Sequence, residues 1–247
     1  MKIITWNCGG AFRKKFQNIK SLEPDVWIIQ ECENPKYVSK TYTDYHTVCK
    51  NYLWVGNNKN KGLGIFCRPE IKLSAIELDD NYRNQNLKWF IAAQIGDDLK
   101  ILGVWNHHNN SKAFQYIGQF WLLLQNNKNE LSDFIIAGDF NSNSIWDGWD
   151  RWWNHSDCVR ELSNIGIESV YHSLNQIEQG KELDNTFFLH RKLNKPYHID
   201  YIFSPLVFLK NSQFKIGTYH DWIMESDHMP ITWDFYVNGR DCVISTV

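Results

Sequence analysis

The sequence predicts an α+β protein in which packed sheets are covered by outer helices. Three observations carry this. Short apolar runs of strand length recur along the whole chain, from residue 2 to residue 237, with only a few helical stripes between them. Several of these runs are apolar without alternation, which suits strands buried on both faces. Strands and helices do not alternate regularly enough for a Rossmann arrangement. No repeat, low-complexity tract or composition break divides the 247 residues, so one domain spanning 1–247 is expected.

Taken in order, residues 2–6 form a first strand, stopped by Asn7, Cys8, Gly9 and Gly10. Residues 12–22 place Phe12, Phe16, Ile19 and Leu22 on one helical stripe. Arg13, Lys14, Lys15 and Lys20 lie mostly off that stripe, and a solvated face is favoured over phosphate contact. Glu23-Pro24-Asp25 ends the helix. Residues 26–30 form a second buried strand with Glu31 at its end. From 45 to 95 the runs 52–55, 63–67, 71–78 and 88–95 are separated by Gly, Asn, Pro and Asp, suggesting an antiparallel meander. Residues 99–105 are a further strand leading into Asn106, His107 and His108. Residues 113–125 carry Ile117, Phe120, Trp121 and Leu124 on a helical face.

Residues 133–143, D-F-I-I-A-G-D-F-N-S-N, are the stretch around which the chain is organised. An unbroken apolar run from Phe134 to Ala137 ends at Gly138, a residue that lets backbone or ligand come close. Asp139 and Asn141 follow two apart, and in extended chain their side chains leave on one face. A carboxylate and a carboxamide at a buried strand mouth are costly without partners, although the same residue types also make turns. Residues 145–153, I-W-D-G-W-D-R-W-W, hold four indoles. Core packing is favoured there over a stacking platform. A helix over 159–165 and closing strands near 186–189, 198–203, 214–218 and 231–237 complete the reading.

Composition limits the function classes. Net charge is −2 and the isoelectric point is near 6.5, so no global basic field draws in nucleic acid. A local positive groove or a bound metal is still compatible with that. Aromatic content is 15%, with 12 Trp, an unusual supply of flat apolar surface. The six cysteines form no C-x-x-C pair and sit in or beside apolar runs, which reads as buried thiols in a reducing compartment. The N-terminus enters a strand directly and no apolar run reaches spanning length, so a cytoplasmic protein without a membrane span is expected. No G-x-G-x-x-G, Walker A, H-E-x-x-H or G-x-S-x-G motif is present.

Five apolar strands end in a polar side chain suited to metal or phosphate. They supply Asn7, Glu31, Asp139 with Asn141, Asp200 in H-I-D-Y-I-F, and Asp227-His228 before M-P-I-T-W. Strand ends on one side of a sheet converge on one cleft. Carboxylate oxygens suit Mg²⁺ or Mn²⁺, not zinc. His107-His108 lacks further ligands at zinc spacing and reads as a surface loop. A His beside a carboxylate is favoured as imidazolium and can donate to a phosphoryl oxygen.

The segments W-N-C-G, I-Q-E-C, G-D-F-N-S, H-I-D-Y-I-F and S-D-H-M-P-I resemble, in order, the motifs of the endonuclease/exonuclease/phosphatase superfamily. They run from residue 4 to 232, and K-G-L-G-I-F resembles the family's Gly-rich strand. The resemblance implies a four-layer α/β/β/α sandwich, deoxyribonuclease I-like, with the site at one end of the two sheets. It implies that Glu31 is the principal ligand of a Mg²⁺ or Mn²⁺ ion, and that Asp227 completes this site or a second one. Asn7 would contact the metal cluster or hold Asp139. Asp139 would orient or deprotonate the attacking water, and Asn141 would fix that water or a phosphate oxygen. His228, oriented by Asp200, would hydrogen-bond the scissile phosphate.

Two positions depart from the family pattern. Trp105 stands where many members have His or Tyr, and a small shift would bring in His107 or His108. An indole cannot protonate a phosphate oxygen. His198 stands where members often have Arg, and the inositol-phosphatase signature around Asp200 is absent. The expected activity is metal-dependent hydrolysis of a phosphate ester by in-line water attack, by a nuclease or other phosphodiesterase, with DNA or RNA as candidate partners. The alternatives are a small phosphomonoesterase or phospholipid phosphodiesterase and, least favoured, a catalytically dead binding module. Trp149 and Trp152 are the expected substrate-stacking residues, because their stretch follows Asp139 and Asn141 so closely.

Overall fold

Ile3 and Ile4 leave opposite faces of the first strand, and both are fully buried. Ile3 joins Ile28, Ile65, Ile101, Ile135 and Ile231 in one apolar cluster, whereas Ile4 joins Trp6, Phe12, Phe16, Trp27 and Tyr45 in another. Leu102, Phe120, Phe134, Ile136, Leu162 and Phe203 form a third. A strand buried on both faces needs a layer on each side, and three clusters separate four layers.

A computed structural model supplies these layers and describes residues 1–83, 85–107 and 114–237. One six-stranded sheet runs in the order Gln213–Ile216, Ile231–Asp234, Lys2–Asn7, Val26–Cys32, Lys61–Cys67, Tyr52–Asn58. The other runs Ile167–Ser169, Asp200–Pro205, Phe134–Asp139, Leu99–Trp105, Phe90–Ile95, Leu73–Ile76. The sheets pack face to face over the Ile3 cluster. The helices Phe12–Lys20 and Thr43–Val48 cover the first sheet. The helices Ile117–Asn127 and His155–Asn164 cover the second. The fold is the α/β/β/α sandwich expected.

Each sheet contains one parallel pair. Lys2–Asn7 runs parallel to Val26–Cys32, with Phe12–Lys20 between them in sequence. Leu99–Trp105 runs parallel to Phe134–Asp139, with Ile117–Asn127 between. A parallel connection needs a crossover, and an amphipathic helix is the usual one. The crossovers bring the C-terminal ends of all four strands to one edge of the sandwich.

The structure corrects several expectations. The strands between 52 and 95 are not one meander: Tyr52–Asn58 and Lys61–Cys67 belong to the first sheet, while Leu73–Ile76 and Phe90–Ile95 belong to the second. Residues 43–48 are helical, because Tyr45 packs edge-on against Phe12 and Phe16 with no exposed surface. The helix expected from 159 begins at His155, where the Asn154 and Asp157 side chains form a capping box. The helix expected from 113 is Ile117–Asn127, and Ala113 lies outside the described residues, as do His108 and Cys242. Cys8, Cys32, Cys49, Cys67 and Cys158 are buried free thiols. No helix among the described residues is long and apolar enough to cross a membrane.

Candidate active site

The register of the sheets gathers the polar strand ends. Asn7 pairs with Gln30, one residue before Glu31. Asp139 pairs with Trp105 on one side and with Asp200 on the other. His228 precedes the Ile231–Asp234 strand, which pairs antiparallel with Lys2–Asn7, and so reaches the same edge. The Trp6 indole N–H donates to the His228 carbonyl at 2.9 Å, and Phe187 forms a β-bridge with His228.

Asp139 is the hub, with no exposed surface. Its Oδ2 accepts from Asn7 Nδ2 at 2.9 Å and from Asn141 Nδ2 at 3.0 Å, and its Oδ1 accepts from the Asn141 N–H at 2.9 Å. Three N–H donors satisfy a carboxylate that would otherwise be costly to bury. Of the two roles open to Asn7, its contact is the hold on Asp139. Asp139 and Asn141 meet, but not by extended alternation: Asn141 is left-handed at φ 46, and the turn folds its amide back onto the carboxylate. Gly138 fulfils the close approach expected of it, since a Cβ there would run into the Val104 carbonyl.

His228 is buried against both aspartates. Its Nδ1 donates to Asp200 at 2.9 Å, and its Nε2 stands 4.0 Å from Asp139 Oδ2. Asp200 is itself anchored, because Thr186 Oγ1 accepts from the Ile199 and Asp200 N–H groups at 3.0 Å. Burial alone would lower the His228 pKa, but Asp200 and Asp139 outweigh it and hold the imidazole above its ordinary range. Burial pushes the Asp139 carboxyl up, against the pull of His228 and the Asn7 hydrogen bond.

Among the described residues, Asp139, Asp200 and His228 form the one cluster of carboxylate and imidazole atoms compact enough to hold an ion. Within it His228 Nδ1 is engaged by Asp200, and the Asp139 oxygens accept three N–H groups. Glu31 is different. It lies within its strand at a bulge, left-handed at φ 61, with its carboxylate 21% exposed. Its Oε2 pairs with the Lys61 ammonium at 2.8 Å. A carboxylate oxygen is the donor type that suits Mg²⁺ or Mn²⁺. Asp227 is half-buried beside Ser226, outside the His228 trio. The nearby Glu33 is committed elsewhere, capping the Phe12–Lys20 helix through the Phe12 and Arg13 N–H groups at 2.8 Å.

Several site residues were not anticipated. Asn106 has no exposed surface, and neither side-chain atom has a partner. Its backbone N–H donates to the Asp139 carbonyl, and its carbonyl accepts from Asn141. It follows the apolar strand Leu99–Trp105, the same signal that singles out Asn7 and Asp139. Ser226 Oγ donates to the Asn7 carbonyl at 2.7 Å and accepts from the His228 N–H at 3.1 Å. Below the site, Asn143 Nδ2 lies within hydrogen-bond distance of Glu182 Oε1, the His198 carbonyl and the Tyr201 hydroxyl. Glu182 also accepts from His172 Nε2 and the Gly180 N–H. Nothing in its local sequence marks Glu182, whereas Ser226 opens the S-D-H-M-P-I segment. His107 lies just past the strand end, part-exposed, and stacks on Trp105 with planes 5° apart.

The expected packing of all four indoles fails. Trp149 is 98% exposed, Trp152 62% and Trp146 45%. The loop between Asp147 and Asn154 closes on itself instead. The Asn154 side chain bonds Gly148 and Arg151, and Asp147 accepts from the His155 and Ser156 N–H groups. Trp153 alone turns inward, 4.8 Å from the Phe114 ring.

Fold and site edge together define a deoxyribonuclease I-like sandwich with a buried Asp–His–Asp cluster at its strand mouths. The chain belongs to the Endonuclease/Exonuclease/phosphatase family, whose pattern matches residues 4–228. Similar solved structures include the 3' phosphatase NExo from Neisseria bound to a product DNA hairpin, at 16% identity and TM-score 0.66, covering 96% of this chain and 100% of that one. An AP endonuclease from Archaeoglobus fulgidus matches at 17% identity and TM-score 0.67, with the same 96% and 100% coverage. TDP2 from Caenorhabditis elegans matches at 14% identity and TM-score 0.60, covering 96% of this chain and 74% of that one. No curated protein matches the chain.

Proposed function

We propose that the protein is a divalent-metal-dependent phosphoesterase, a nuclease or other phosphodiesterase that cleaves P–O bonds by in-line attack of water. The observation that carries this reading is the buried grouping of Asp139, His228 and Asp200 at the strand mouths, with Glu31 at the end of the strand that pairs with Asn7. Membership of the family, and the 3' phosphatase and AP endonuclease among the similar structures, support it.

Glu31 would hold Mg²⁺ or Mn²⁺, with Asp227 as a second carboxylate. The ion would polarise a phosphoryl oxygen. Asp139 orients the attacking water and accepts its proton, which is why Asn7 and Asn141 fix its carboxylate. His228, kept as imidazolium by Asp200, donates to a phosphate oxygen as negative charge builds there. Asn141 fixes the water or a second phosphate oxygen. Trp149 and Trp152 offer flat faces to a base or similar group of the substrate.

A second reading, hydrolysis of a small phosphomonoester, is favoured by the net charge of −2, since a track for long nucleic acid is usually basic. One panel separates the two. Plasmid, abasic duplex, single-stranded RNA, bis-p-nitrophenyl phosphate and p-nitrophenyl phosphate are compared with Mg²⁺, with Mn²⁺ and with chelator. Metal-dependent hydrolysis of the diesters supports the first reading, and hydrolysis of p-nitrophenyl phosphate alone supports the second. Absence of metal-dependent hydrolysis across the panel overturns both.

A further inference from the structure

The Lys61 ammonium touches both sheets. It stands 2.8 Å from Glu31 Oε2 in the first sheet and 5.8 Å from the Trp105 ring centroid in the second. Trp105 in turn pairs in register with Asp139. Lys61 thus holds a positive charge at the mouth between the Glu31 carboxylate and the Asp–His–Asp cluster.

Its place is fixed by the backbone. Lys61 opens the strand Lys61–Cys67, and its neighbour Gly62 pairs with Cys32, the residue after Glu31. On its other side a side chain on Gly62 would collide with the Val55 carbonyl and the Trp54 indole, so the close approach of Tyr52–Asn58 requires glycine. Glu31, for its part, occupies a left-handed conformation at φ 61 that non-glycine residues adopt at a cost, a kind of strain that clusters at functional sites. An ion pair with side chains 47% and 21% exposed adds little to stability. Fold stability therefore does not account for the strained carboxylate and the lysine set against it.

We propose that Lys61 is a tethered cation with two stations. In the metal-free protein it neutralises Glu31. When a divalent ion takes that carboxylate, the ammonium turns to a phosphate oxygen of the substrate. Lysine suits both stations, as a point charge with three rotatable donors on a flexible stem. The Trp105 face provides a cation–π resting surface between them. The proposal rests on the reading of Glu31 as the metal-holding residue.

The test is calorimetric titration of Mn²⁺ into the wild-type protein, Lys61→Met and Lys61→Arg, followed by bis-p-nitrophenyl phosphate kinetics at saturating metal. Lys61→Met, which removes an internal competitor, should bind Mn²⁺ about two- to fivefold more tightly, the range to which an exposed ion pair converts. Its KM should rise more than its kcat falls. Lys61→Arg, which keeps the charge, should bind Mn²⁺ as the wild type does. If the wild type binds Mn²⁺ and Lys61→Met binds it no more tightly, the Lys61 assignment falls alone. If the wild type takes up no Mn²⁺, the Glu31 reading falls and this proposal with it. Tighter Mn²⁺ binding with unchanged KM overturns the phosphate station.

Discussion

Asp139 and Asp200 face one another in register on antiparallel strands, and the His228 imidazole lies against both carboxylates. Two buried acids and one base so close together form a single charge system. Its behaviour should follow from which member is removed.

Asp200 sets the state of His228. In Asp200→Asn the largest opposing charge is gone, and burial should then pull the imidazole pKa down. An NMR titration of the His228 ring should show that fall, and kcat should drop by about 10², the scale of acid–base groups. An unshifted ring titration would remove Asp200 from the orienting role.

Asp139→Asn should also cut kcat by about 10² or more, with KM moving less. The substituted amide can present only one oxygen, while Asn7 and Asn141 direct three N–H groups at the two carboxylate oxygens. One donor is then left facing another, so stability should fall by roughly 1–3 kcal/mol as well. His228→Ala should match the loss in kcat. Near-wild-type turnover with a normal circular dichroism spectrum in either variant would contradict these roles.

Acid should weaken the fold through the network under Asn143. Burial would raise the Glu182 pKa, but hydrogen bonds from His172 and Gly180 overcome it and bring the carboxylate to about 2 from an ordinary 4.5. That stability is complete above about pH 4.5 and is lost as pH falls toward 2. Burial lowers His155 from 6.5 to about 4, so below about pH 6.5 the unfolded chain takes up a proton that the folded one refuses. Each group contributes on the order of 2–3 kcal/mol. Urea denaturation at pH 7.5, 5.5 and 4 should show a falling midpoint, and Glu182→Gln should flatten the lower part of that decline.

The indoles separate by exposure. Trp149→Ala should leave the melting temperature unchanged, because the ring is 98% exposed, and should raise KM for the preferred substrate. A stacked base gains roughly 1–3 kcal/mol on such a ring. Hydrolysis of bis-p-nitrophenyl phosphate should stay nearly intact, and Trp152→Ala should behave likewise. Trp153→Ala should instead lose stability, because its ring packs against Phe114. Equal KM for all substrates in Trp149→Ala would remove it from substrate selection.

The sequence made legible what depends on short range. Asn7, Asp139 and Asp200 each stand at an apolar run, so their place at strand mouths could be read locally. That the mouths share one edge was expected from the recurrence of polar residues at five strand ends, and is realised by the two crossovers. The division of the strands between 52 and 95 into two sheets was not legible, since it depends on partners far away: Leu73–Ile76 is drawn to Phe90–Ile95, and Lys61–Cys67 to Val26–Cys32. Thr186 and Glu182 have unremarkable sequence surroundings, and only tertiary contacts give them a task; Ser226 lies inside S-D-H-M-P-I, but its bonds to Asn7 and His228 are tertiary as well. The indoles were misjudged because a Trp-rich run has the same composition whether it packs or is displayed. What displays Trp149 is the Asn154 side chain folding the loop onto itself.

Glu31 is the residue proposed to bind the divalent ion. Glu31→Gln keeps the size of the side chain, removes its charge and releases Lys61. Titration of Mg²⁺ or Mn²⁺ into this variant, with heat measured directly, should show an intact fold that has lost most of its metal affinity. Unchanged binding would contradict the account.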